Sequence, residues 1–114
     1  MKVLLDQGVS KRIRPVLERK LGCEVHTVHH HGWDTLHDGE LLQQAALSDF
    51  TAIVTTDLRM ADQQRQSAIA IVSVDDNRIP ALIAGADFIV DAIRSTNPGE
   101  HTVVRTGSRG RRGN

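Results

Sequence analysis

"AIVTTD", residues 52–57, is a run of small and β-branched residues that stops at an acid. Near-continuous apolar runs of this kind suit a strand of a parallel sheet that is covered on both faces. "MKVLLD" at residues 1–6 has the same plan, with the strand in "KVLL" and the acid at Asp6. "CEVHTV" (23–28) alternates and reads as another strand, "AIAIVSV" (68–74) is the most hydrophobic one, and "HTVV" (101–104) is a last edge strand. Helical patterns fill the gaps. Ser10 can cap a helix over 11–21 with Ile13, Leu17 and Leu21 on one stripe, and Gly22 ends it. Pro15 moves its start toward Arg14, where proline is tolerated. After a loop at "HHHGWDTL" (29–36), Asp38 can cap a helix whose apolar face is Leu41, Leu42, Ala45 and Ala46. "LRMADQQRQ" (58–66) reads as a short polar helix or loop. "IPALIAGADFIVDAIRS" (79–95) carries Leu82, Ile83, Phe88, Ile89, Ala92 and Ile93 at helical spacing. This alternation of strands and helices predicts a three-layer α/β/α sandwich around a mostly parallel central sheet.

The 114 residues fit one domain with one core, expected over 1–104, followed by a mobile glycine-rich basic tail at 105–114. Aromatic residues make up only 3%, so aliphatic side chains must fill the interior. The formal net charge is zero, which argues against a uniformly basic nucleic-acid binder but leaves room for a local basic patch. Cys23 is the single cysteine; it allows no disulfide framework and reads as a buried thiol. Neither a signal peptide nor a membrane span is expected, so the chain is expected to be cytoplasmic, with no membrane partner.

In parallel sheets ligands bind beyond the carboxyl ends of the strands, near the point where strand order reverses. Asp6 and Asp57 end two such strands. Glu40, in the first turn of the helix before "AIVTTD", lies toward the same edge, so three carboxylates can converge. Two like charges about 4 Å apart repel by about 4 kcal/mol at an effective dielectric near 20. Three such pairs would cost on the order of 10 kcal/mol, comparable with the whole stability of a domain. Either one acid holds a proton or a divalent cation sits among them. Oxygen-only ligands favour Mg²⁺ or Mn²⁺ over zinc. Taken singly, each acid has a competing role: an aspartate at a strand end can turn the chain or cap a helix, and Glu40 complements a helix dipole without any metal.

The ordered set of acids resembles a family. "KVLLDQG" (2–8), "GWDTLHDGELLQQA" (32–45) and "VTTDLRMADQQ" (54–64) together are similar to the small bacterial PIN-like proteins related to VapC-type toxins. The likeness runs to about Val104 and implies a PIN-like fold. It also implies a metal-dependent ribonuclease that hydrolyses RNA phosphodiester bonds, with clustered acids holding Mg²⁺ or Mn²⁺, as the toxin of a toxin–antitoxin pair. Carried over, the catalytic, metal-binding acids are Asp6, Glu40 and Asp57. Asp38 is an alternative for the second place, and Asp38 or Asp62 can hold a second ion through water. An antitoxin protein and a homodimer are the partners the resemblance suggests. Two positions depart from the pattern: position 7 is Gln and position 59 is Arg where many relatives carry acids. They put nuclease competence in question and keep a degenerate, non-catalytic interaction module as the alternative.

Lys11, Arg12 and Arg59 can hold an RNA backbone, or can simply be solvated surface. Adjacent histidines point different ways, so His29, His30 and His31, with His26 and His37 nearby, read as a polar loop in preference to a chelating site. Trp33 packs that loop onto the body, with base stacking the lesser alternative. Gln63 and Gln64 match the family pattern, and one of them can orient an acid; helix surface is the competing role. The arginines of the tail, Arg105, Arg109, Arg111 and Arg112, can touch nucleic acid or an antitoxin. A receiver-like phosphoacceptor domain is a further alternative, because "VTTDLRM" looks like a receiver's strand-end aspartate. A receiver also needs a lysine after the fifth strand, and the only lysines here are Lys2, Lys11 and Lys20.

Overall fold

β1 (Lys2–Leu5) pairs on one side with β2 (Glu24–Thr27) and on the other with β3 (Ala52–Thr55); β4 (Ala70–Val74) and β5 (His101–Val104) extend the sheet beyond β3. These contacts come from a computed structural model that describes residues 1–63 and 68–106. Every pairing is parallel and the strand order is β2-β1-β3-β4-β5, one of the two common doubly wound orders. The expected α/β/α layering is what the chain adopts. Order reverses at β1, so the crevice between β1 and β3 is the position where such sheets bind ligands.

Period-two alternation divides the strand residues between two cores. Val3 and Leu5 of β1, Val54 of β3 and Val72 and Val74 of β4 face α1 (Arg14–Leu21), α4 (Ile79–Ala84) and α5 (Ala86–Ser95), through Leu17, Leu82 and Ile89. Leu4, Ile53 and Ile71 face α2 (Asp38–Leu47) and α3 (Met60–Gln63), through Leu41, Leu42, Ala45 and Met60. Both faces are apolar, which is why the strands read as unbroken apolar runs. Leu4 is wholly buried, so truncation to alanine should cost about 2–5 kcal/mol.

Helix boundaries depart from the sequence pattern in three places, while Gly22 ends α1 as expected. Ser10 caps only a 3₁₀ turn at Lys11–Ile13, accepting from the Arg12 N–H, and α1 starts at Arg14 with Pro15 in its first turn. Gly22 ends α1 in the left-handed conformation with φ 69°. The cap of α2 is His37, not Asp38: the His37 side chain accepts from the Glu40 N–H, and Glu40 Oε1 accepts from the His37 N–H at 3.2 Å. Asp38 is thereby the first residue inside the helix. The single helix expected over 79–95 is two, broken at Gly85, where a Cβ would come within 2.7 Å of Thr106 Cγ2. That break shifts the helical phase, and Ile83 and Phe88 are exposed instead of lining the core. Cys23 is half-buried, and desolvation pushes its thiol pKa up.

Thr106 is buried and both its N–H and its hydroxyl donate to Asp75 Oδ1, so the packed chain runs past Val104. Gln64 and the tail residues Arg109, Arg111 and Arg112 lie outside the described residues. Among the described residues no helix is long and apolar enough to cross a membrane.

Candidate active site

Alternation continues beyond the apolar part of each strand. Asp6 follows Leu5 and so falls on the face of Leu4; Thr55 falls on the face of Ile53, and Ser73 on that of Ile71. At the carboxyl ends of β1, β3 and β4 the face toward α2 and α3 therefore turns from aliphatic to polar. Thr55 and Ser73 are both fully buried, so their hydroxyls must find partners.

Those partners are the strand-end acids. Thr55 Oγ1 donates to Asp6 Oδ2 at 2.7 Å and accepts from the Asp57 N–H at 3.0 Å. The Gln7 N–H donates to Asp6 Oδ1 at 2.9 Å. One buried hydroxyl thus ties the ends of β1 and β3 together. Ser73 Oγ reaches the Asp57 carbonyl oxygen at 3.3 Å and His101 Nε2 at 2.8 Å. With the serine proton given to the carbonyl, the histidine nitrogen is the donor. Asp57 Oδ1 accepts from the Arg59 N–H at 2.9 Å, closing a local turn. Gly8 permits the loop after β1 to lie against the loop after β3, since a Cβ there would come within 2.5 Å of Thr56 Oγ1.

The first turn of α2 delivers the third acid. Burial raises the pKa of Asp38, and the charges of Asp57 and Asp6 and a side-chain hydrogen bond with Asp57 raise it further. Asp38 and Asp57 are thus the close pair, and Asp6 acts on Asp38 through its charge. Glu40 is exposed and spent on the cap, so Asp38 stands in the place for which Glu40 was the first choice. Asp62 is exposed on α3, and among the described residues no contact joins it to the other acids. Among the described residues, no three His, Cys, Asp or Glu side chains form a ready-made metal-holding group.

Lys11 and Arg12 are exposed on the 3₁₀ turn, and Lys11 lines the same cavity of about 340 Å³ as Asp6. Arg59 is exposed, and it is its backbone, not its guanidinium, that meets Asp57. No protein-family model matches this chain, and no curated protein or solved structure is significantly similar to it.

The histidine-rich loop is organised by rings. His26 Nδ1 and His31 Nε2 lie 2.8 Å apart, and His26 Nε2 meets Glu24 Oε1 at 2.8 Å. His31 stacks on Trp33 with centroids 4.5 Å apart, and both rings meet Phe50 edge to face. Trp33 packs the loop onto the body, as its position after Gly32 suggested. Sequence reasoning missed Thr55, Ser73 and His101. For the first two the signal was present: a hydroxyl inside an otherwise apolar strand must be bonded if it is buried.

Proposed function

We propose that the crevice between β1 and β3 binds Mg²⁺ or Mn²⁺ and hydrolyses phosphodiester bonds in RNA. The observation that carries this reading is that Asp6 and Asp57, tied by the Thr55 hydroxyl, end neighbouring strands at the point where strand order reverses, with Asp38 hydrogen-bonded to Asp57. Burial raises Asp38, the charges of Asp57 and Asp6 raise it further, and that second part is what a cation relieves. The donor set fits Mg²⁺: it is all oxygen, and that ion is commonly held by one or two carboxylates, with waters and substrate phosphates completing its shell. When bound, such a cation supplies a Lewis acid and lowers the pKa of a coordinated water.

Asp38 and Asp57 are the residues that would hold it. Asp6 is positioned by Thr55 and Gln7, each of its oxygens keeps a lone pair free, and it takes the proton of the attacking water. The buried Thr55 hydroxyl orients Asp6 and the Asp57 backbone together, so the groups need little rearrangement on binding. Asp57→Asn keeps the shape and removes a charge, and RNA cleavage with Mn²⁺ should fall at least about tenfold, or about 1.4 kcal/mol of transition-state stabilisation. Equal cleavage by wild type and variant would sink the assignment. An absence of cleavage with any divalent cation would replace it with the interaction-module reading.

Strand order favours one rival: β2-β1-β3-β4-β5 is also the order of receiver-type sheets, and Asp57 ends β3 as a phosphoacceptor would. Arg105 and Thr106 follow β5 where that chemistry needs lysine, so the nuclease reading is preferred. An antitoxin partner and a homodimer enter through the resemblance to PIN-like proteins, and a cytoplasmic location only through the sequence reading that expects neither a signal peptide nor a membrane span.

A further inference from the structure

Two buried hydroxyls grip the backbone of Asp57 from its two ends. Thr55 Oγ1 accepts from the Asp57 N–H at 3.0 Å, and Ser73 Oγ lies 3.3 Å from the Asp57 carbonyl oxygen. The Met60 N–H also reaches that carbonyl, at 3.3 Å. Asp57 Oδ1 accepts from the Arg59 N–H, so the peptide between Asp57 and Leu58 and the aim of the carboxylate are tied together. Whatever fixes that peptide fixes an acid of the candidate site.

A hydroxyl has one proton, and its direction decides what the oxygen holds. For Thr55 the choice is closed. The Asp57 N–H can only donate to it, and its own proton goes to Asp6 Oδ2 at 2.7 Å. For Ser73 the choice is open. The Asp57 carbonyl can only accept, but His101 Nε2, at 2.8 Å, is a donor in one tautomer and an acceptor in the other. With the ring proton on Nε2, His101 donates to Ser73 Oγ, and the serine gives its own proton to the carbonyl. With the ring proton on Nδ1, the ring takes the serine proton, and the carbonyl faces a lone pair. Ser73 is fully buried, so bulk water does not compete for its proton. His101 is half-buried, and among the described residues nothing else bonds its ring, so water can serve Nδ1 in the first arrangement.

Sheet register puts the ring where it can act. His101 pairs with Ile71 and Val103 with Ser73, so His101 stands two residues short of the position opposite Ser73. Alternation places Ile71 and Ser73 on one face, and the residue paired with Ile71 shares it. The edge strand β5 thereby reaches across β4 to the end of β3.

We infer that His101 is a positioning residue for Asp57: its Nε2–H directs the Ser73 proton onto the Asp57 carbonyl, and the peptide so fixed aims the Asp57 carboxylate. The chain of hydrogen bonds transfers no proton. What the carboxylate then holds rests on the cation reading above, and the experiment separates the two.

The test is NMR of the isotope-labelled full chain, with melting curves over a series of Mn²⁺ concentrations. At a pH where the ring gives the nitrogen spectrum of a neutral imidazole, wild-type His101 should be the Nε2–H tautomer. The Nδ1–H tautomer overturns the inference, and this arm needs no variant to fold. The carbonyl carbon resonance of Asp57 should move in the same direction in Ser73→Ala and in His101→Leu. It should stay near its wild-type place in His101→Gln, whose amide can offer an N–H at the same point. A resonance that His101→Leu leaves in place overturns the inference. If Mn²⁺ stabilises wild type, His101→Leu should need about fivefold more of it for half the effect, the size of one hydrogen bond, and His101→Gln should restore the wild-type requirement. An equal requirement in His101→Leu makes the ring merely structural and overturns the inference. With the expected tautomer and carbonyl shifts but no Mn²⁺ effect on any of the proteins, the hold of His101 on Asp57 stands and the cation reading falls.

Discussion

At the carboxyl ends of β1 and β3, Asp6, Asp38 and Asp57 crowd like charge into a half-open crevice. At the edge strand β2, His26, His31, Trp33 and Phe50 crowd rings into a closed corner. Both lie on the sheet face toward α2 and α3, and one loop joins them, running from the ring corner to the His37 cap and Asp38. Burial acts on each in its own sense. It raises Asp38, favouring a proton there, and lowers His31, resisting one, with the charges of His26, His30 and Lys2 adding to the second effect. The corner satisfies itself through stacking and a ring-to-ring hydrogen bond. The crevice instead sets a half-buried Asp38 against the charges of Asp57 and Asp6. A fold can thus place a self-sufficient brace of rings beside a crevice that gathers like charge.

The largest expected effect breaks the brace. Trp33→Ala removes a half-buried indole with two ring contacts, and should cost about 2–3 kcal/mol in urea unfolding, below the range for wholly buried aromatics. If the corner positions Asp38, the variant should also lose part of any rise in melting temperature that the proposed cation site gives with Mn²⁺. A full Mn²⁺ effect on a destabilised variant would show the two regions to be independent.

Next is Thr55→Val, which keeps the shape and removes the hydroxyl shared by Asp6 and the Asp57 N–H. Leaving those groups without their partner should cost about 1–3 kcal/mol. A loss below a few tenths of a kcal/mol would mean that water replaces the hydroxyl, and the crevice would be wetter than its burial indicates.

The pH dependence separates the regions further. His31 has its folded pKa below the ordinary 6.5, so the unfolded chain binds its proton first. Stability from this group is full above 6.5 and is lost as pH falls through that value toward the folded one. The His26–His31 bond adds the same sense, because one ring must offer a lone pair. His31→Asn should flatten the decline in melting temperature between about pH 7 and pH 5. An unaltered decline would place the responsible proton elsewhere.

The smallest effect has the opposite sign. Asp38 has its folded pKa above the ordinary 3.8, so the folded chain binds this proton more readily, and the group takes stability away as pH rises through the acid range. Asp38→Asn should therefore raise the melting temperature of the metal-free protein slightly at pH 7, while removing most of the gain from Mn²⁺. A variant less stable than wild type without metal would show that its carboxylate, not its crowding, dominates.

The legible parts of the site were those that follow from strand ends. Asp6 and Asp57 could be named because a parallel sheet gathers its carboxyl ends on one edge, whichever helices cover it. Choosing between Asp38 and Glu40 required the phase of α2. Successive helical residues point about 100° apart, so which acid of the first turn faces the crevice depends on which residue is the cap. Ser, Thr, Asp and Asn are the usual caps, which pointed to Asp38; His37 took the role, supported by Glu40, and so freed Asp38 and used up its rival. The exposure of Ile83 and Phe88 has a similar origin in the break at Gly85, where close packing of Thr106 leaves no room for a side chain.

By itself the sequence determined the class of fold, because apolar runs buried on both faces and separated by helical patterns have few other solutions. It also determined the edge on which acids would gather. Only the tertiary structure decided which acids meet, that Thr55 joins two of them, and that four rings from β2, its loop and the residue shortly before β3 close one corner. Strand periodicity is local and can be read along the chain. Helix phase, hydroxyl partners and ring contacts depend on residues far apart in sequence, such as the 49 positions between Asp6 and Thr55, and packing alone sets them.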